Sequence, residues 1–202
     1  MNNNNQDYFN QHVATLEKHG RFNVINFQKE NRAMYHMQFI FDTQEYTLTI
    51  IGDFYTLIAK NKNNMAIEHF RKHFCNNPHY FSEKILAMEQ PKYLYDEDIA
   101  RKQVIEQIKN GCETEDYFDE EIVEYINSQT GQIYSTVEEF IDDIFSYWLG
   151  EEGGFGDNIP EQLLKAIDDD YWEWAYDLGE TLSPYIKIYL KALDLALEQL
   201  SF

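Results

Sequence analysis

The run ETEDYFDEEIVEYINSQTGQIYSTVEEFIDDIFSYWL, Glu113 to Leu149, sets apolar residues among closely spaced acids. Charge alone would leave such a run disordered. Here Phe118, Ile122, Val123 and Ile126, then Val137, Phe140, Ile141, Ile144, Phe145 and Trp148, recur at helical spacing. The spacing predicts two helices, each with an apolar stripe turned inward and carboxylates turned outward. Ser135-Thr136-Val137-Glu138 matches a capping box for the second helix, with Ser135 as the cap and Glu138 reaching back. From Glu113 to Asp177 the chain holds twenty Asp and Glu against one basic residue, Lys165.

The charge is unevenly placed along the 202 residues. Residues 1–95 hold ten Lys and Arg against nine Asp and Glu, and residues 96–202 hold six against twenty-seven. The expected organisation is a near-neutral mixed subdomain over 1–95 and a helical, strongly acidic subdomain over 96–202 packed against it. Gln90-Pro91 breaks the preceding helix, and the boundary is expected near residues 91–96, where the charge balance changes. The length supports a real core without staples, and two cysteines, Cys75 and Cys112, are no disulfide framework. The start, MNNNNQDYF, lacks the basic end and apolar run of a secretory signal. No stretch approaches a membrane span, so a cytoplasmic protein is expected.

A formal charge of -20 argues against direct binding of nucleic acid, which needs Lys and Arg to displace counterions. Anionic membrane surfaces are disfavoured for the same reason. Basic partners, captured quickly and in a salt-sensitive way, are favoured. Solvation of the surface accounts for the same charge without any partner, and both readings stand at this point.

The first half alternates. Asp7 can cap a helix over Tyr8 to Lys18 with Gly20 as its stop, and Phe22 to Phe27 reads either as strand or as helix. Tyr35 to Phe41, Tyr46 to Ile51 and Phe54 to Ala59 read as strands joined by short turns. They predict a three- or four-stranded antiparallel meander in an α+β fold. Helices are expected over Asn64 to Phe74 and His79 to Met88. Another opens at Asp96, with Ile99, Ile105 and Ile108 inward, and a last one follows Ser183-Pro184.

Three groups of residues are candidates for function. The first is the acidic surface, where Glu120 and Glu124, Glu138 and Asp142, and Glu139 and Asp143 are like-charge pairs four apart. Each such pair destabilises an isolated helix by about 0.2–0.5 kcal/mol, a cost that binding a basic groove would offset. The second is DDDYWEWAYD, Asp168 to Asp177, where Trp172, Tyr176 and Leu178 read as core and Trp174 as an exposed anchor. The third is His69, His73 and Cys75 with His79 nearby, which could hold zinc. The order is not H-E-x-x-H, there is no calcium loop, GGFGD lacks the lysine of a phosphate loop, and no G-x-S-x-G is present. No catalytic residue, metal or cofactor is therefore assigned.

The stretch TLTIIGDFYTLIAKNKNNMAIEHFRKHFCNNPHYFSEKI, Thr47 to Ile85, resembles proteins carried by bacteriophages and prophages, as does SPYIKIYLKALDLALEQL, Ser183 to Leu200. It departs from them at the Gly-Asp turn, where Phe54 and Tyr55 follow. Such small acidic phage proteins include inhibitors of host defence, among them anti-CRISPR proteins. The resemblance implies a non-enzymatic inhibitor in the host bacterial cytoplasm. Its partner would be a basic nucleic-acid-binding protein, with a CRISPR effector nuclease as the leading candidate. On that reading Asp116, Asp119, Glu120, Glu124, Glu138, Glu139, Asp142 and Asp143 stand in for phosphates, together with Asp168, Asp169, Asp170 and Glu173. Trp174 would anchor them.

Overall fold

The computed structural model describes residues 8–30, 35–111, 119–155 and 159–202. The chain forms two compact units, Met1–Lys92 with Leu182–Phe202, and Tyr93–Thr181. The second is thus inserted into the first. The first boundary falls between Lys92 and Tyr93, and the final helix groups with the sheet and not with the acidic residues that precede it.

In the first unit, β1 (Val13–His19), β2 (Phe22–Gln28), β3 (Met37–Asp42), β4 (Thr47–Gly52), β5 (Leu57–Lys60) and β6 (Ile85–Met88) make one antiparallel sheet in sequence order. The strand period of two decides the core. Met37, Phe39 and Phe41 are buried, and the register sets Phe39 between Ile25 and Ile50 and Phe41 beside Leu48. Phe41 meets Phe70 edge to face at 5.6 Å, so the helical segment that leaves β5 covers this face. That segment is α1 (Ile67–Phe70), a π-helical turn over Arg71–Cys75, and α2 (Pro78–Ser82). After the inserted unit, whose helices are α3 (Glu97–Gly111), α4 (Asp119–Thr130), α5 (Val137–Phe145) and α6 (Glu161–Lys165), α7 (Pro184–Gln199) buries Ile186, Leu190, Leu193 and Leu197. Ser183 precedes it as expected, but its hydroxyl makes no cap hydrogen bond.

The sheet has six strands where three or four were expected. β1 lies where a helix was expected. Its Leu16 opposes Ile25, and the closing pair His19–Phe22 leaves a two-residue loop with Gly20 at φ 61°. Gly20 is a hairpin residue, and cross-strand pairing overrides the helical spacing of Val13 and Leu16. Asp7, the proposed cap, lies outside the described residues. β6 replaces the second half of the expected His79–Met88 helix. That helix stops at Ser82, and Ile85, Ala87 and Met88 pair with Ala59, Ile58 and Leu57 of β5.

β7 (Tyr93–Tyr95) pairs with β8 (Glu180–Leu182), and between them the second unit contains α3, α4, α5 and α6. Asp96 caps α3 by accepting the Ile99 N–H at 3.0 Å. The buried stripe of α3 is Ala100, Val104 and Ile108, with Ile99 turned outward at 37% exposure, contrary to expectation. Four-residue spacing keeps those three on one line, and Ile99 is a residue off it. They join Ile122 and Ile126 of α4 and Phe140, Ile141 and Ile144 of α5 in one apolar cluster. The cap of α5 is one residue later than the sequence suggested. Thr136 Oγ1 accepts the Glu139 N–H at 3.2 Å, and Glu139 reaches back to the Ser135 N–H at 2.6 Å. Among the described residues, no helix is long and apolar enough to cross a membrane.

Gly52 opposes Met37, and a Cβ there would run into the His36 carbonyl oxygen. The neighbouring Asp53 carboxylate accepts the His36 N–H at 3.0 Å, so the two backbones are held close. Gly52→Ala should lower stability in urea unfolding by about 1–3 kcal/mol. Phe39→Ala, which empties the centre of the sheet core, should cost about 3–5 kcal/mol. Wild-type stability in either variant would contradict this packing.

Candidate functional site

The charge asymmetry follows the structural division. Tyr93–Thr181 holds twenty-five Asp and Glu against four Lys and Arg, net -21. The sheet unit holds eleven against twelve, net +1. All of the net negative charge belongs to the inserted unit.

Helical spacing determines where those acids point. In α4, Ile122, Val123 and Ile126 are buried while Glu120, Glu121 and Glu124 are exposed. In α5, Val137, Phe140, Ile141 and Ile144 are buried while Glu138, Glu139 and Asp142 are exposed. Both helices therefore carry carboxylates on the side away from the apolar cluster. α5 sets three exposed acids, Glu138, Glu139 and Asp142, in nine residues, or one per about 4.5 Å of axis at the helical rise. That is sparser than the charge spacing of about 3.4 Å along one nucleic-acid strand.

The acids chosen from sequence divide by role. Glu120, Glu124 and Glu138 are exposed and make no ion pair with a described residue, and the same holds for Asp169, Asp170 and Glu173. Asp142 is paired with Arg101 at 2.8 Å, and Arg101 also holds Glu97 at 2.9 Å. Glu139 is used in the helix cap. Asp143 accepts the Tyr134 hydroxyl at 2.6 Å, and Asp168 accepts the Trp174 indole N–H at 3.0 Å. Asp142, Glu139, Asp143 and Asp168 thus have structural partners already. Asp116 lies outside the described residues, as do Glu113 and Phe118, and Asp119 opens α4.

The aromatic assignments in DDDYWEWAYD are reversed. Trp172 and Tyr176 are the exposed rings, at 55% and 53%, whereas Trp174 packs against the apolar cluster with its N–H occupied. Leu178 is buried as expected. The segment forms two short 3-10 turns, Tyr171–Glu173 and Ala175–Asp177, whose tighter winding moves each ring off the α-helical positions. A groove of about 410 Å³ separates this segment from the Glu106 face of α3, a neighbour that sequence reasoning missed. The i, i+1, i+4 spacing of Glu106, Gln107 and Asn110 was the available signal.

The zinc candidate does not assemble. Among the described residues no three His, Cys, Asp or Glu side chains come together as metal ligands. His69 is exposed, and burial, followed by the Asp194 charge, pushes the Cys75 thiol up to about 12. A thiol that stays protonated at neutral pH is a poor nucleophile and a poor metal ligand.

Burial of Tyr134, then its bond to Asp143 and that residue's charge, raise the phenol well above its ordinary value. A raised value favours the neutral phenol in the folded state. Its contribution is complete below the unfolded value of about 10 and is lost as pH climbs towards the folded one. Alkaline unfolding should therefore be steeper in the native protein than in Tyr134→Phe above about pH 10. Parallel stability curves would show that the bond contributes nothing. No protein-family model, no curated protein and no solved structure matches this chain.

Proposed function

We propose that the protein is a non-enzymatic inhibitor of a host defence nuclease, of the kind phages carry. It would occupy a basic nucleic-acid-binding surface, with a CRISPR effector as the leading target. The observation that carries this reading is the confinement of the whole net charge to one folded unit, some of its acids exposed on the outer faces of α4 and α5. A solvating surface needs no such confinement. A folded acidic surface also has an advantage over an acidic tail, because its charges are already positioned when the partner arrives.

Glu120, Glu124 and Glu138 are the phosphate substitutes this reading favours, since they are exposed and unpaired with any described residue. Trp172 takes over the anchoring role first expected of Trp174, because it is the more exposed of the two rings.

Binding to a purified RNA-guided nuclease tests the proposal. Affinity for the guide-free enzyme should fall at least about tenfold between about 50 mM and about 500 mM salt, as the Debye length shrinks well below 10 Å. Guide RNA should compete. Replacing Glu120, Glu124 and Glu138 together by Gln should slow association about tenfold while leaving the fold intact. Trp172→Ala should cost about 2 kcal/mol of binding, the level of an interface hot spot. Flat salt dependence, or simultaneous binding of guide and protein, would sink the reading.

A further inference from the structure

The groove beside Trp174 has a composition that selects one kind of side chain. α3 supplies Glu106, Gln107 and Asn110 on one wall, and the 3-10 segment supplies Glu173, Trp174 and Asp177 on the other. Its volume of about 410 Å³ lies within the range of roughly 300–1,000 Å³ common for ligand clefts. Carboxylates stand on both walls, and among the described residues no Lys or Arg lines it and none is ion-paired with the three acids. The indole is fixed before any ligand comes, because its N–H is held by Asp168 at 3.0 Å. The acids also make the neighbourhood electronegative. The Glu180 carboxyl is raised above its ordinary value, by burial first and then by the charge of Asp177.

We propose that this groove receives an arginine side chain of the basic partner, the guanidinium lying against Trp174 and forking to the carboxylates on the two walls. The proposal rests on the inhibitor reading and adds to it the place where a specific residue is gripped. Arginine fits better than lysine for three reasons. Its planar head stacks on an indole, its five donors are arranged as a fork, and it is more weakly hydrated than an ammonium. The side-chain carbonyls of Gln107 and Asn110 can accept the donors that the carboxylates leave over. The remaining acids of α4 and α5 would then supply attraction at a distance, and the groove would set register.

The test is a nuclear magnetic resonance titration of the full chain with the capped peptide acetyl-Gly-Arg-Gly-amide. Matched peptides carrying lysine or the uncharged isostere citrulline serve as controls. The arginine peptide should shift the Trp174 indole N–H and the Gln107 and Asn110 side-chain amides in a saturable way. Citrulline should produce no shift, and lysine should bind more weakly. The double variant Glu106→Gln, Asp177→Asn replaces two exposed acids and should keep the fold while weakening binding about tenfold. Shifts confined to α4 and α5, no shifts, or equal shifts from citrulline would overturn the assignment. Salt-sensitive nuclease binding with an unmoved Trp174 signal would remove the groove alone. Saturable arginine binding without guide competition would instead remove the inhibitor reading and leave the groove.

Discussion

Twenty-one uncompensated negative charges repel one another, and the apolar cluster beneath α3, α4 and α5 is what keeps them in one folded unit. A like-charge pair four apart on a helix costs about 0.2–0.5 kcal/mol, whereas burying a side chain such as Phe140 or Ile144 contributes about 1.5–3 kcal/mol. Both of those side chains are fully buried. Burial therefore exceeds local repulsion, and the outer faces of the helices can carry acids in rows. Arg101 neutralises part of this charge, lying over the Phe145 ring while bonded to Glu97 and Asp142.

The sheet unit solves a different problem. Its net charge is near zero, its core is a row of alternating large apolar residues, and α7 returns to cover that face after the inserted unit. Several acids of this unit are engaged locally, as Asp42 is by Arg21 and by the N–H groups of Gln44 and Glu45. The chain thus separates a conventional scaffold from an inserted unit that holds the unusual surface. Such an insertion lets a surface be presented without loading the scaffold's core with charge.

Much of this was legible in the chain. The alternation of Met37, Phe39 and Phe41 gave a strand, and Ile122, Val123 and Ile126 of α4 and Val137, Phe140, Ile141, Ile144 and Phe145 of α5 are buried as their spacing indicated, while Trp148 is only partly so. Periodicity is read within one element, and these elements are governed by their own pattern. The failures share a cause in contacts between distant residues. Val13 and Leu16 have helical spacing, but pairing of Leu16 with Ile25 makes β1. Ile85 and Met88 continue a helical pattern, yet the edge of β5 takes them as a strand. The return of α7 to the sheet leaves no mark on composition. In the acidic surface, sequence supplied the residue types and the outward faces of α4 and α5. It could not distinguish Glu138, which is free of described partners, from Asp143, which holds Tyr134. Nor could it tell Trp172 from Trp174, because Trp172 lies within one 3-10 turn and Trp174 at the junction with the next, which no helical period describes.

Amide hydrogen exchange at low and high salt measures most directly whether the inserted unit holds a dense, unneutralised negative surface. Screening relieves repulsion between carboxylates, so protection of α4 and α5 should rise with salt while β3 and β4 stay as they were. Protection in α4 and α5 that does not respond to salt would mean their charges are already compensated, and the account of this surface would fail.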